Sequence, residues 1–179
     1  MEKKNSIFIA TSFDGYIADR DGGIEWLESV PNPEQIDMGY GEFMSRIDAL
    51  LMGRNTFEKV LSFGIPWPYT KKVFVWSRQL KNLPPGLKGK VEIISGTPTE
   101  ILTSIHKKGL GRIYIDGGQL IQAFLKEDLI DEMIITKVPM LLGGGFPLFG
   151  ELTQMLHFTL VKSEVFLGQL VQDIYVRKR

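Results

Sequence analysis

Short apolar runs alternate with amphipathic segments along most of the chain, and this alternation predicts an α/β fold. The runs are rich in Ile, Val and aromatic residues, which is typical of strands covered on both faces of a sheet. Strands are predicted over Ser6–Ala10, Ala49–Met52, Lys72–Trp76, Val91–Ile94, Arg112–Ile115 and Glu132–Val138. Apolar residues at three- and four-residue spacing predict helices over Pro33–Ile47, Thr56–Leu61, Pro98–Lys108 and Gln119–Leu125.

The last part of the chain follows a different pattern. Two extended runs, His157–Val165 and Gln169–Arg177, are joined by a short segment that contains Gly168. This arrangement predicts an antiparallel hairpin. Because strands that alternate with helices form parallel crossovers, the expected fold is a mainly parallel central sheet flanked by helices, with an antiparallel C-terminal hairpin. We expect one domain over residues 1–179.

Composition removes several classes of function. The chain of 179 residues contains no Cys, only two His and a formal net charge of zero. The lack of Cys excludes disulfides and thiolate metal sites, and the balanced charge argues against nucleic-acid binding. No apolar run is long enough for a signal peptide or a membrane span, so we expect a soluble, cytoplasmic protein.

Glycine, hydroxyl and arginine residues follow three of the predicted strands. They form the segments Gly53-Arg54-Asn55-Thr56, Ser77-Arg78 and Gly117-Gly118. Since the carboxyl ends of parallel strands meet at one edge, these groups are expected to converge there. Helix N-termini and guanidinium groups bind phosphate, so the joint pattern predicts a phosphate-rich cofactor. Each segment alone is equally typical of a capped helix or a surface loop.

Three further local features are predicted. Asn55 or Thr56 is expected to cap a helix, with Glu58 completing a capping box with Asn55. The loop that contains Asp14-Gly15 and Gly22-Gly23 is interpreted as a lid or as a mobile surface connection. The glycine-rich segment 139–149 is expected to be a backbone crossing or a substrate-side loop.

Taken in order, five segments resemble the dihydrofolate reductase-like superfamily, and most closely the stand-alone relatives of the reductase domain of riboflavin deaminase-reductases. The likeness covers nearly the whole chain and is carried by Ala10-x-Ser12-x-Asp14-Gly15-x-Ile17-Ala18, Met52-Gly53-Arg54-x-Thr56-Phe57-Glu58, Ser77-Arg78, Ile115-Asp116-Gly117-Gly118 and the segment from Pro139 to Phe149. The resemblance implies a dihydrofolate reductase-like fold and NADPH-dependent hydride transfer.

The resemblance also implies roles for individual residues. Gly53, Arg54, Asn55 and Thr56 would hold the cofactor phosphates, and Ser77 and Arg78 would contact the 2′-phosphate of NADPH, with Arg54 helping. Gly117 and Gly118, often joined by a cis peptide in this superfamily, would turn beneath the pyrophosphate, with Gln119 and Leu120 opening the next helix. Ala10 and Ile17 would flank the nicotinamide, and no metal site is implied.

Asp37 is the nearest match to the carboxylate that promotes substrate protonation in the folate branch. A solvated surface carboxylate is the open alternative for this residue. The leading hypothesis is an NADPH-dependent reductase of a pteridine- or pyrimidine-type heterocycle, resembling 5-amino-6-(5-phosphoribosylamino)uracil reductase. The alternatives are a dihydrofolate reductase and a non-catalytic NADP(H)-binding sensor. Because riboflavin-type relatives usually dimerise, we expect a homodimer, with the C-terminal hairpin as a candidate interface.

Overall fold

The computed structural model of the protein describes residues 2–179. The ten strands are β1 (Lys4–Ser12), β2 (Tyr16–Ala18), β3 (Ala49–Gly53), β4 (Lys72–Trp76), β5 (Val91–Ile94), β6 (Arg112–Asp116), β7 (Glu132–Val138), β8 (Phe146–Pro147), β9 (Phe158–Phe166) and β10 (Leu170–Arg177). The helices are α1 (Tyr40–Ser45), α2 (Arg54–Ser62), α3 (Pro98–Lys107) and α4 (Gly118–Lys126), and Glu25–Ser29 forms a 3₁₀ helix.

Eight strands form one sheet in the order β5-β4-β3-β6-β1-β7-β10-β9, and β2 pairs with β8 in a separate ribbon. The neighbours from β5 to β7 are parallel, whereas β10 is antiparallel to both β7 and β9. This topology confirms the predicted parallel sheet with an antiparallel hairpin. The predicted bounds of β4, β5 and β7 are also those of the structure.

The sheet separates two apolar cores because successive strand side chains point to opposite faces. In β6, Ile113 and Ile115 belong to one core, together with apolar residues of α3 and α4. Tyr114 belongs to the other core, together with Phe43 of α1 and Phe57 of α2. Helices therefore cover both faces, which explains why the central strands are apolar throughout.

The predicted helix over Pro33–Ile47 is mostly wrong. The structure has a helix only over Tyr40–Ser45. Upstream, Gln35, Met38 and Gly39 all have positive φ values, of 52°, 53° and 82°, which right-handed helices do not accommodate. Upstream of Tyr40, the apolar residues at helical spacing therefore lie in a series of turns and not in a helix.

Helix capping also differs from the prediction. The N-cap of α2 is Gly53, which makes no side-chain capping bond, so neither Asn55 nor Thr56 caps this helix. Glu58 instead lies 3.7 Å from the guanidinium of Arg54. By contrast, Thr97 and Glu100 form a complete capping box at the start of α3.

The expected cis peptide between Gly117 and Gly118 is wrong, since residues 2–179 contain no cis peptide bond. Gly117 instead turns the chain with a φ of +101°, a conformation open mainly to glycine. Within the same range, no helix is both long and apolar enough to span a bilayer.

The difference between the two helix starts gives a stability prediction. Thr97→Ala removes a bond to the backbone N–H of Glu100 and should lower the free energy of unfolding by about 1 kcal/mol. Asn55→Ala removes no capping bond and should change it by less than about 0.5 kcal/mol. Urea unfolding of both variants measures the difference, and equal losses would contradict the assignment of Gly53 as the N-cap.

Candidate functional site

The three segments predicted to bind phosphate lie at one edge of the sheet. The strand register pairs Met52 with Asp116 and Gly53 with Trp76. The residues that follow β3, β4 and β6 are therefore neighbours at the carboxyl ends of these adjacent parallel strands. This is the edge at which open α/β sheets bind ligands.

The N-termini of α2 and α4 leave their backbone N–H groups without side-chain capping partners. Both helices are nine residues long, and their N-caps, Gly53 and Gly117, carry no side chain that could accept these bonds. Free N–H groups and the positive end of the helix dipole favour an anion at each start. The two starts are close, because a Cβ at Gly117 would lie 3.9 Å from the backbone nitrogen of Gly53.

Close packing at this point requires two glycines. A Cβ at Gly117 would overlap the hydroxyl of Thr56, and a Cβ at Gly118 would come within 2.7 Å of the Ile17 side chain. The structure thus brings Ile17, Thr56, Gly117 and Gly118 together, as the sequence analysis expected of cofactor-binding residues. The two glycines thus allow Thr56 and Ile17 to pack directly against the start of α4.

The remaining predicted cofactor residues differ in what they expose. Leu120 is buried in the core, so its backbone N–H, and not its side chain, belongs to the helix start. Asn55 and Gln119 are exposed at the starts of α2 and α4, and Ala10 is half-buried near the carboxyl end of β1. Their placement is compatible with contact to a ligand at this edge.

Arg54, Ser77 and Arg78 lie around the turn that follows β4. A guanidinium nitrogen of Arg54 donates to the Gln79 side-chain oxygen at 2.7 Å. The Ser77 hydroxyl accepts the backbone N–H groups of Gln79 and Leu80 at 3.1 and 2.9 Å, which fixes the turn. Arg78 is exposed on the same turn. Gln79 is a candidate that the sequence analysis missed, since only the folded turn places it beside Arg54.

The glycine-rich segment 139–149 is a backbone crossing. A Cβ at Gly145 would overlap the carbonyl oxygen of Ala18, so this glycine permits the close approach of the two backbones. The Asp14 carboxylate accepts the backbone N–H groups of Leu142 and Gly143 at 3.1 and 2.8 Å. These contacts tie the loop after β1 to the loop after β7, which favours a fixed wall over a lid.

Asp37 lies in the turn before α1, exposed to solvent. Its two carboxylate oxygens accept the backbone N–H groups of Gly39 and Gly41, both at 2.9 Å. These bonds lower the pKa of Asp37 below its usual value. A carboxylate held ionised in this way orders the start of α1 and is poorly suited to donate a proton.

Asp116 is a second carboxylate, which the sequence analysis did not assign to the site. It is half-buried at the carboxyl end of β6 and directly precedes Gly117. Burial raises its pKa to about 6, although the N–H of Gly117 and the hydroxyl of Tyr114 partly oppose the rise. The sequence feature that could have identified Asp116 is its position, at the end of an apolar strand and directly before two glycines.

Two tyrosine side chains lie near Asp116. Tyr40 comes from α1 and contacts Phe8, with ring centroids 5.4 Å apart. Tyr69 comes from the α2–β4 connection and lies 5.2 Å from the Trp67 ring. Burial, followed by the nearby charge of Asp116, raises the pKa of Tyr40 to about 12 and that of Tyr69 further. We call the group formed by Tyr40, Tyr69 and Asp116, with Trp67 beside Tyr69, the acceptor site.

Comparison with known proteins gives consistent likenesses. The family model described as the RibD C-terminal domain matches residues 5–171. The uncharacterized protein YwjB of Bacillus subtilis (strain 168) is 38% identical over 99% of both chains. The structure of a putative riboflavin biosynthesis protein from Shewanella sp. PV-4 is 54% identical, with a TM-score of 0.95 over 98% of this chain and 99% of that one.

A more distant structure shares the fold. It is the Thermotoga maritima diaminohydroxyphosphoribosylaminopyrimidine deaminase/5-amino-6-(5-phosphoribosylamino)uracil reductase, with 16% identity and a TM-score of 0.72. The match covers 99% of this chain and 57% of that longer one. Together with the family match, it confirms the dihydrofolate reductase-like fold that the sequence motifs implied.

The raised pKa of Asp116 predicts a pH dependence of stability. Because this pKa is higher in the folded chain than in the unfolded chain, the carboxyl group favours folding below about pH 4 and loses that contribution as pH rises through 6. Asp116→Asn should therefore gain stability relative to the parent over this range, by up to about 3 kcal/mol. Urea unfolding at a series of pH values measures the change.

Asp48 provides a control of opposite sign. Its carboxylate accepts the backbone N–H groups of Gly111 and Arg112, and its pKa is lowered. Because this pKa is lower in the folded chain than the usual 3.8, the carboxylate stabilises the fold fully above about pH 4 and less as pH falls. Asp48→Asn should therefore lose stability relative to the parent as pH rises towards about 4, and the difference should stay constant above it. The same trend in both variants would contradict the assigned environment of Asp116.

Proposed function

Because the chain belongs to the RibD C-terminal domain family, we propose that it is an NADPH-dependent reductase of a pteridine- or pyrimidine-type heterocycle. Family membership supports a reductase of the riboflavin-pathway type, and the cofactor and substrate are the further steps of the proposal. The observation that carries them is the convergence of two uncapped helix starts with Asp116 at one edge of the sheet.

The cofactor side of the proposal uses backbone N–H groups and arginines. The starts of α2 and α4 would hold the pyrophosphate, since both leave N–H groups without side-chain acceptors and lie close together. Arg54 would hold the 2′-phosphate with Ser77 and Arg78, because a guanidinium group pairs well with a phosphate. Ala10 and Ile17 would flank the nicotinamide at the ends of β1 and β2.

The acceptor side must orient the heterocycle and supply a proton. When bound, NADPH supplies the hydride, and reduction of a C=N or C=O bond also needs one proton. With a pKa of about 6, Asp116 is protonated in roughly a tenth of molecules at pH 7, which suits a general acid near neutral pH. This assignment replaces Asp37, whose carboxylate is held ionised by two backbone bonds.

The arginine assignment predicts a cofactor preference. Arg54→Ala and Arg78→Ala should weaken NADPH binding by roughly tenfold or more and NADH binding much less, because only NADPH carries the 2′-phosphate. Arg112→Ala is the matched control, since Arg112 pairs with Glu2 at the amino end of β6. Fluorescence titration measures both affinities, and equal losses for NADPH and NADH would contradict the 2′-phosphate assignment.

The reductase itself is tested by NADPH oxidation with a panel of pteridines and pyrimidines. Asp116→Asn should lower kcat by roughly 10²-fold or more while NADPH binding persists, and the parent kcat should fall as pH rises above about 6. NADPH binding without oxidation on any acceptor would favour the sensor alternative. Turnover of dihydrofolate alone would favour the dihydrofolate reductase alternative, and failure to bind NADPH or NADH would contradict all three.

A homodimer is also part of the proposal. The edge strand β9 exposes Leu160, Val161 and Val165, and an exposed apolar edge strand is a surface that proteins usually cover. A second copy of the chain would cover it. Analytical ultracentrifugation should give twice the mass of one chain, and Val161→Glu should shift the equilibrium towards the monomer. A monomer at all accessible concentrations would contradict the dimer.

A further inference from the structure

The charge along residues 21–45 is entirely negative. This segment contains no Lys, Arg or His, and it carries the six acidic residues Asp21, Glu25, Glu28, Glu34, Asp37 and Glu42. All six are exposed, and within residues 2–179 none of them forms an ion pair. The zero net charge of the chain therefore hides a strongly acidic region.

This acidic segment lies over the carboxyl ends of the strands next to the acceptor site. Trp26, Val30 and Met38 pack against Val138 at the end of β7. The Gln172 side chain also donates to the Met38 carbonyl oxygen at 3.1 Å, which ties the segment to the sheet. The segment then continues into α1, which contributes Tyr40 to the acceptor site. It thus forms one wall of that site.

The second wall of the acceptor site carries no charge. It comes from residues 61–70, which contain Trp67 and Tyr69 but no acidic or basic residue. The pKa of Asp116 is not lowered by any neighbouring cation. The guanidinium groups of Arg54 and Arg78 lie around the turn after β4. Neither of the two segments that form the acceptor site therefore contains a basic side chain.

We infer that the acceptor is an aromatic nitrogen heterocycle without a phosphate or carboxylate group. This inference rests on the proposed reductase function and narrows its substrate class. The Thermotoga protein is named for a phosphoribosyl substrate, and the inference distinguishes the present chain from such a preference. The aromatic rings near Asp116 suit a planar heterocycle, and the carboxyl group of Asp116 suits its N–H or amino edge.

The physical reason is electrostatic. A phosphate monoester brings a charge of about −1.5 to −2, and its repulsion by carboxylates is strongest within a screening length of about 8 Å. Desolvating such an anion also needs a positive or N–H-rich partner, and the two walls supply none of the basic side chains that would serve. A neutral heterocycle pays neither of these costs.

Two pairs of acceptors test the inference, each with NADPH at saturation. The first is 5-amino-6-ribosylaminouracil and its 5′-phosphate, and the second is dihydrobiopterin and dihydrofolate, which share a pterin ring but differ in carboxylates. The neutral member of each pair should have a kcat/KM at least roughly tenfold higher. Added salt should raise kcat/KM for the anionic member and leave the neutral member nearly unchanged, because screening weakens the repulsion.

Paired variants connect the discrimination to the acidic wall. Glu28→Gln combined with Glu34→Gln should reduce the neutral-to-anionic ratio of kcat/KM by several-fold. The control combines Glu127→Gln with Glu151→Gln and removes the same amount of charge. Glu127 ends α4, and Glu151 follows Gly150, which packs on Gln122 of α4. Both therefore lie on the side of the sheet that α4 covers. The control should leave the ratio unchanged, and equal effects of the two double variants would overturn the inference.

The outcomes separate the inference from the proposed function. A kcat/KM for the anionic member that equals or exceeds that of the neutral one overturns the substrate class and leaves the reductase proposal intact. NADPH binding without turnover of either member of both pairs overturns the reductase proposal, and the substrate class falls with it. A higher kcat/KM for the neutral members, with a preference that added salt reduces, supports both the inference and the proposed function.

Discussion

Two helices that begin on glycine determine what this edge of the sheet can bind. The N-terminal N–H groups of α2 and α4 have no side-chain acceptors, because Gly53 and Gly117 occupy the N-cap positions. Serine or threonine at either position would satisfy those donors internally, as Thr97 does for α3. The chain therefore forgoes roughly a few tenths of a kcal/mol of capping at each of the two helices, and it keeps a site at which an external anion completes the bonds.

The rest of the site follows from this arrangement. Gly117 must also be small because Thr56 packs against it, so the same residue fixes the turn, the approach of α2 and the position of Asp116. Asp116 directly precedes the N-cap of α4, so a half-buried protonatable group lies beside the proposed phosphate site. In the proposed function, Arg54 and Arg78 supply positive charge to the cofactor, while residues 21–45, which carry no basic side chain, lead into Tyr40 of the acceptor site.

Much of the fold could be predicted from the sequence, because buried parallel strands are apolar along their whole length. The bounds of β4, β5 and β7 follow from that pattern alone. The helix over Pro33–Ile47 could not be excluded by periodicity, since turns at Gln35 and Met38 also bring Met38 and Tyr40 against the core. The convergence of the glycine- and arginine-containing segments at one edge could be predicted because they directly follow strands of a parallel sheet. Asp116 was missed because its importance depends on burial and on Tyr40 and Tyr69, which approach from distant parts of the chain.

The central claim, that the free helix starts of α2 and α4 hold the phosphates of a dinucleotide, is tested most directly by NMR titration of the ¹⁵N-labelled protein with NADPH. The backbone amide signals of residues 54–56 and 118–120 should show the largest shifts, whereas those of residues 99–101 at the capped start of α3 should remain nearly unchanged. Shifts that avoid both free helix starts, or that are equally large at α3, would contradict the account.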